Sequence, residues 1–330
     1  MTTIGRVTSQ QLYLNSQTAM AQTKARLSTL QQQSSSGLAV AKASDDPVAA
    51  GTILQIRSSI ASNSQYASNI TDGIGWLSTA DSALSTSEDL LRKASDLTIQ
   101  AANSGTSSPS SREAIAVQLE SLRSELLGQA NTQYLGRSVF AGSSNAATAF
   151  TDTGAYNGVV APATTQTPVQ RRVSSTETIP VSADGAAAFG TPPAAAPTGT
   201  GTTTGTGTGA TTGTSVFQTI DRVVQALRSP DYDTGTADKA TVTAGIDDLK
   251  SAMDRMTAEH AVVGNAYSRI QDAKTRVGDQ STLLEQQRSG VQDIDTTKVL
   301  LDLKTQELAY QTSLAVTAQV LQPTLMSFLQ

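Results

Sequence analysis

Residues 246–277 read IDDLKSAMDRMTAEHAVVGNAYSRIQDAKTRV. Apolar side chains fall at Ile246, Leu249, Met253, Met256, Val263, Tyr267, Ile270 and Val277. His260 and Lys274 stand at the two positions that complete the series. The steps alternate three and four throughout, which is the a/d seam of a coiled coil. The spacing predicts one long helix with a continuous buried edge. On this reading His260 lies in the seam and its neighbour Glu259 points away from it.

The same period recurs in the first half. Ile70, Leu77, Leu84 and Leu91 repeat every seven, flanked by Trp76, Ala83, Leu90 and Leu97. The intervening positions are small: Ala80, Ser87, Ala94 and Ala101. A further run follows at Ile115, Leu119, Leu122 and Leu126. Between them lies Asn103-Ser-Gly-Thr-Ser-Ser-Pro109-Ser-Ser, a loop by composition. Two helices therefore form a hairpin, and the helix over 246–277 packs along them.

The ends carry thinner stripes. Tyr13, Met20, Leu27 and Leu30 make one. Leu300, Leu303, Tyr310 and Leu314, then Ala318, Leu321, Leu325 and Phe328, make the other. Neither is apolar enough to hold an isolated helix in water. Before Asp45 the chain has Arg6, Lys24, Arg26 and Lys42 and no acid. After Val291 it has Asp293, Asp295, Asp302 and Glu307 against Lys298 and Lys304. Opposite charge predicts that the arms pair, with most of the apolar stripe left for other subunits. Pro323 is expected to kink or end the last helix.

The middle is different. Gln170-Arg-Arg-Val and Glu177-Thr-Ile-Pro-Val favour strands, and Ala183-Asp-Gly185 reads as a turn. Residues 198–214 are ten Thr, six Gly and one Ala, a tether that cannot bury a core.

Composition narrows the function. The 330-residue chain has no Cys, one His, 4% aromatic and 15% charged residues, and net charge −5. Soluble proteins average roughly 25% charged. Without Cys there is no disulfide frame, thiolate nucleophile or Cys-ligated metal. One His excludes a multi-His metal site, and mild acidity gives nucleic acid no foothold. The uncharged stretch 308–330 is broken by Gln311, Thr312, Ser313, Thr317, Gln319, Gln322 and Pro323, so it is no membrane span. The N-terminus lacks the basic start and apolar run of a cleaved signal peptide.

Candidate chemical residues have plainer roles. His260 reads as a packing or interface histidine, with a pH-sensitive contact as its sharper use. Asp45 and Asp46 are adjacent carboxylates, but Asp46 before Pro47 suits an N-cap. Residues 199–213 are Gly-rich without the Lys of a phosphate loop. Arg171-Arg172 reads as a solvated strand edge. No catalytic set, cofactor site or metal site is expected, and the chain reads as non-enzymatic.

Several stretches resemble the N-terminal region of bacterial flagellins. They are Arg26-Leu-Ser, Ser36-Gly-Leu38, Lys42-Ala-Ser-Asp-Asp-Pro47, Asn69-Ile-Thr-Asp-Gly-Ile74, Thr79-Ala-Asp-Ser-Ala-Leu84 and Asp96-Leu-Thr-Ile-Gln-Ala-Ala-Asn103. The resemblance covers about 5–142 and 215–330. Three stretches look more like the superfamily's hook–filament junction branch than like the filament subunit. These are Ser44-Asp-Asp-Pro-Val48, Leu135-Gly-Arg-Ser-Val-Phe-Ala-Gly142, and the run from Ser215 to Leu227 that re-enters the rod.

The resemblance implies a mainly α fold: an elongated coiled-coil and helical-bundle rod from both chain ends, with a small β-rich domain inserted between. Terminal arms 1–40 and 290–330 form an inner coiled-coil domain, disordered in the free monomer. Residues 41–141 and 215–289 form the rod, and 142–214 the outer domain. The implied function is a structural adaptor between the hook-associated region and the filament. It is exported without a cleaved signal by the flagellar type III apparatus and located on the flagellum outside the cell. Implied partners are flagellin on one side, another hook-associated protein on the other, like subunits in a ring and an export chaperone. Neither nucleic acid nor membrane is among them. Tyr13, Met20, Leu27, Leu30, Leu300, Leu303, Tyr310, Leu314, Leu321, Leu325 and Phe328 are the expected assembly contacts. Two other readings stay open: a short flagellin that builds the filament itself, and a coiled-coil-stalked adhesin binding ligand through 142–214.

Overall fold

A computed structural model describes residues 9–103, 108–144, 146–158, 168–191, 215–230, 232 and 236–326. For residues 9, 10, 12, 13 and 319–326 it describes the backbone only. The Thr/Gly tract 198–214 and Phe328 lie outside the described residues.

The elements in chain order are α1 (Ser9–Ser36), α2 (Pro47–Ala102), α3 (Pro109–Ala130), β1 (Gln133–Tyr134), β2 (Arg137–Ser138), β3 (Gln170–Arg172), β4 (Thr178–Pro180), α4 (Gly185–Phe189), α5 (Val216–Arg228), α6 (Thr236–Gln292) and α7 (Thr296–Met326). The described chain divides into two units. One comprises residues up to Asn63 and from Asp279, the other Ser64–Gly278. Helices α2 and α6 each contribute to both.

Local chemistry sets the helix boundaries. Asp46 Oδ1 accepts from the N–H groups of Val48 and Ala49 at 2.9 and 3.0 Å, with Pro47 at the first helical position. Asp45 accepts from Ala41 and Lys42 instead, closing the turn before the helix. The adjacent carboxylates are thus a cap and a turn. Ser108 caps α3 ahead of Pro109. Gly37, at φ +72°, ends α1 in the left-handed conformation that glycine adopts without strain. Helix α7 runs through Pro323 to Met326 rather than ending there.

In the unit Ser64–Gly278, α2 and α6 run antiparallel. Gly73 lies against Ile270 so closely that a Cβ there would collide with its Cδ1. His260 reaches Asp81 and Glu88 further along α2. The buried edge of α6 is Val242, Gly245, Leu249, Ala252, Met256, Val263, Ala266, Ile270, Ala273 and Val277. Its steps are three and four, with Glu259 at the position between Met256 and Val263.

This corrects the sequence reading by one residue in half the seam. Ile246, Met253 and Tyr267 are half-buried on the flank and Lys274 is exposed. The column they were expected to fill is instead Gly245, Ala252, Glu259, Ala266 and Ala273. Counting apolar bulk finds the large flank residues, whereas helices that approach closely bury the small ones.

The two edges are complementary. On α2 the buried large residues are Ile70, Leu77, Leu84 and Leu91, and the buried small ones Gly73, Ala80, Ser87 and Ala94. Counting antiparallel in sevens from Gly73–Ile270 brings Ala80 level with Val263, Ser87 with Met256 and Ala94 with Leu249. The same count brings Ile70 level with Ala273, Leu77 with Ala266 and Leu91 with Ala252. Large meets small at each of these layers, which is how a dense interior is filled without voids, and Leu84 falls level with Glu259. Buried hydroxyls are satisfied within α2: Ser87 donates to the Ala83 carbonyl and Thr98 to that of Ala94, each at 2.7 Å.

Helix α3 packs on α5, joined by Arg123–Asp221 at 2.7 Å. Arg228 bonds both Glu113 and Glu120, and these bonds hold its guanidinium pKa above its usual value. The middle of the chain builds onto this bundle. Phe140, Phe150, Tyr156, Phe189 and Phe217 form a ring cluster with centroid separations of 5.1–6.0 Å. Asn131 both donates to and accepts from the Phe150 backbone. Strand content in the described middle is small: β3 pairs with β4 in three residue pairs. That hairpin is fastened by polar contacts. Arg171 bonds Asp72 at 2.6 Å, so it is no solvated edge. Asn69 donates to the Arg172 carbonyl, and Arg276 reaches Glu177.

The other unit holds α1 against α7. Its loop pairs with the α6–α7 joint: Ala39 N–H donates to the Gln292 carbonyl at 2.7 Å and Ile294 N–H to that of Gly37 at 3.1 Å.

The seam register has a measurable consequence. Met256→Ala should cost about 2–5 kcal/mol, and Met253→Ala less than half of that. Ala266→Leu, in the small column, should cost about 1–3 kcal/mol through overpacking. Chemical denaturation of the three variants checks this, and a larger loss for Met253→Ala than for Met256→Ala contradicts the register.

Candidate assembly interface

The expected contact residues divide into two groups. Met20, Leu27 and Leu30 on α1 and Leu303 and Tyr310 on α7 are half-buried. They belong to series of half-buried positions stepping by three and four. On α1 these are Ser16, Met20, Thr23, Leu27 and Leu30. On α7 they are Val299, Leu303, Gln306, Tyr310, Ser313 and Thr317. Two bonds fix the antiparallel register: the Ser16 and Thr317 hydroxyls are 2.9 Å apart, and Gln306 Nε2 donates to the Thr23 carbonyl at 3.2 Å.

The seam between the arms is therefore half polar, which is why its apolar stripe looked thin in sequence. Among the described residues no ion pair joins α1 to α7. Lys304 pairs within its own helix, with Glu307.

The second group faces outward. Leu300 and Leu314 are exposed. So are Leu301, Leu308 and Val316 on α7 and Leu14 on α1, which the sequence reading did not name. Leu308, Ala309, Thr312 and Val316 line a groove with Ser16 and Ala19. The signal for it was the seven-residue spacing of Leu301 and Leu308, one step away from the stripe that was read. The side chains of Tyr13, Leu321 and Leu325 lie outside the described residues, as does Phe328.

A second projecting feature lies in the Ser64–Gly278 unit. Strands β1 and β2 pair Gln133 with Ser138 and Tyr134 with Arg137. Their two-residue turn is Leu135-Gly136, with φ of +49° and +77°. Positive φ at both positions is the type I′ geometry, which favours Asn-Gly. Leucine in this region is strained by about 1–2 kcal/mol, and the residue is 81% exposed. The turn is firmly seated. The Tyr134 ring meets Trp76 edge-on at 5.9 Å and lies against Gly75, and Arg137 covers the Trp76 ring at 5.6 Å.

His260 joins two helices. Its Nδ1 is 2.9 Å from Glu88 and its Nε2 3.0 Å from Asp81, so it bridges α6 to α2. Partial burial alone would lower its pKa. The bonds to Glu88 and Asp81, and their charges, outweigh this and raise it. Arg92 also reaches Glu88, at 3.9 Å. Glu259, expected to point away from the seam, turns inward. It accepts from the Asp184 N–H at 2.8 Å, and burial raises its pKa. Glu259 thereby fastens the middle segment to α6 in a column otherwise made of small residues. Among the described residues no group of three or more acidic, His or Cys side chains is placed to hold a metal ion. None of the described helices is long and apolar enough to cross a membrane.

Long paired helices at both chain ends, with an irregular segment between, define the class of protein. The model of the bacterial flagellin N-terminal helical region matches residues 7–145, and that of the C-terminal helical region matches 246–329. The chain belongs to the bacterial flagellin family.

Within it, the chain is similar to flagellar hook-associated protein 3 of Salmonella typhimurium, with 27% identity covering 93% of this chain and 94% of that one. In fold it is similar to a putative flagellar hook-associated protein of Vibrio parahaemolyticus (TM-score 0.59, 18% identity, 76% of this chain and 100% of that one). It is also similar to the flagellar junction protein FlgL of Legionella pneumophila (TM-score 0.54, 18% identity, 73% and 99%).

The His260 bridge predicts a pH dependence. A raised folded pKa stabilises the protonated form. Its contribution is complete below the ordinary histidine value near 6.5 and is lost as pH rises through the folded value. Melting temperature should therefore fall more between pH 6 and pH 8 for the wild type than for His260→Gln. Equal falls in the two proteins contradict a charged bridge.

Proposed function

We propose that this chain is a structural adaptor of the bacterial flagellum, placed between a hook-associated protein and the flagellin filament. The observation that carries the reading is the similarity to flagellar hook-associated protein 3, which extends through 93% of this chain. Like subunits assemble in a ring through the terminal helices, and the chain acts outside the cell without catalysing a reaction. It travels through the flagellar type III apparatus, accompanied beforehand by an export chaperone.

The domain roles follow the same reading. Residues 1–40 and 290–330 are the inner arms, 41–141 and 215–289 the rod, and 142–214 the outward part. The arms are marginal on their own and gain order as neighbours cover them, because a half-polar seam supplies little burial energy. The exposed leucines of α7 support this role. Leu300, Leu314 and the remaining expected contact residues act either in pairing the arms or in meeting neighbouring subunits.

Removing residues 296–330 separates the two parts. The truncated chain should be a soluble helical monomer that keeps the cooperative unfolding of the 64–278 unit. In cells lacking their own junction protein it should leave hooks bare and flagellin in the medium, while the full chain restores filaments. Normal filaments with the truncated chain contradict the role of the arms. Failure of the full chain to restore filaments contradicts the adaptor reading. Self-seeded growth of the pure chain into long filaments would identify a filament subunit instead.

A further inference from the structure

We propose that Asn157 is a site of spontaneous covalent modification, where the side-chain amide is lost to water and aspartate or isoaspartate takes its place. The chain has eight asparagines, and only Asn157 is followed by glycine. Loss of the amide begins when the backbone nitrogen of the next residue attacks the asparagine Cγ. It therefore needs a free side-chain amide and a free N–H beside it. Glycine leaves that nitrogen unshielded, because it has no Cβ.

Elsewhere the fold withholds one or both. Asn15, Asn63, Asn69 and Asn265 lie inside α1, α2 and α6, where the following N–H belongs to the helix ladder. Asn131 bonds the Phe150 backbone through both ends of its amide, and the Thr132 N–H donates to the Gln129 carbonyl at 3.1 Å. Asn145 and the residue after Asn103 lie outside the described residues.

Asn157 is held differently. Its N–H donates to the Ala149 carbonyl at 2.8 Å, and its carbonyl accepts from the Ser144 hydroxyl at 3.4 Å. The main chain is anchored, yet the residue is exposed. Among the described residues neither its side-chain amide nor the Gly158 N–H has a hydrogen-bond partner. Packing requires the glycine, since a Cβ at Gly158 would overlap the Tyr156 ring.

The step balances with water alone. The Gly158 nitrogen gives up its proton to solvent and bonds to Asn157 Cγ. The Cγ–Nδ2 bond breaks, and Nδ2 takes up a proton and leaves as ammonia. Water then opens the five-membered imide at one of its two carbonyls. One opening gives aspartate, and the other gives isoaspartate, in which Cβ and Cγ enter the main chain. Either product adds a negative charge next to Tyr156. Burial, then the charges of Asp184 and Glu259, already raise the pKa of that hydroxyl. In isoaspartate the former main-chain carbonyl becomes a carboxylate and the longer backbone pulls on Tyr156. That ring belongs to the aromatic cluster and donates to the Phe140 carbonyl at 2.9 Å. Conversion should therefore loosen the middle segment.

The full-length folded chain is aged at pH 6 and at pH 8 and digested, and each asparagine is followed by fragment-ion mass spectrometry. Amide loss at Asn157 should outrun that at every other asparagine. It should be faster at pH 8, because the nitrogen attacks in its deprotonated form, and an isoaspartyl methyltransferase should label the product. Asn157→Gln should remove the reaction, since glutamine must close a larger ring, and should leave the other sites unchanged. Loss at Asn157 no faster than at Asn131 overturns the inference. So does loss that begins only once urea has unfolded the chain. The aged wild type should melt lower than aged Asn157→Gln, and equal melting temperatures overturn the loosening. The adaptor reading is untouched by any of these results.

Discussion

The close approach of α2 and α6 is the constraint on which the Ser64–Gly278 unit depends. Gly73 sits directly under Ile270, and from that contact the large and small residues of the two helices fall into alternating layers. Small side chains are usually poor contributors to a core. Here they set the interhelical distance, and most of the buried leucines and isoleucines of one helix lie level with a small residue on the other. A chain with only 4% aromatic residues can then bury a continuous seam without bulky side chains. Ser87 and Thr98 enter that seam because their hydroxyls bond back to carbonyls one turn earlier. The polar composition of the helices is therefore compatible with burial.

The few aromatic residues are concentrated where helices no longer provide order. Four of the five phenylalanines meet in one cluster with Tyr156, joining the irregular middle to the start of α5. Polar contacts fasten what the rings do not. Glu259 reaches the Asp184 N–H from inside the seam, and Asp72, Asn69 and Glu177 hold the β3–β4 hairpin. A half-buried carboxylate that accepts from a backbone N–H is costly to place. Its position in the small column leaves room for it and directs it to one partner.

The α1–α7 pair is built on the opposite plan. Its seam alternates leucine, methionine and tyrosine with serine, threonine and glutamine, and its outer side carries unpartnered leucines. Such a pair holds register through specific bonds more than through burial. The layered seam of α2 and α6, by contrast, buries a continuous apolar edge. The β1–β2 turn departs from local preference in a different way, with a strained leucine on a well-seated base.

Much of the helical architecture was legible in the sequence, because a seven-residue repeat reports a buried edge whatever the partner. Helices α2 and α3, the Asp46 cap, the re-entry helix at Val216 and the family resemblance all came from local spacing or short motifs; residues 104–107 of the expected loop lie outside the described residues. Three features did not. The seam of α6 was read one residue off in half its positions, because bulk was counted and Gly245, Ala252, Ala266 and Ala273 have none. The arm stripes were read as apolar only, which hid the hydroxyl and amide contacts that set their pairing. Glu259 and His260 exchanged expected roles, since a shift of one residue on a helix rotates a side chain by about 100°. The sequence by itself determined which segments are helices and that each has one buried edge, through the period of its side chains. Only the tertiary structure decided which residues share that edge and which leucines stay uncovered, because both depend on how closely a second helix approaches.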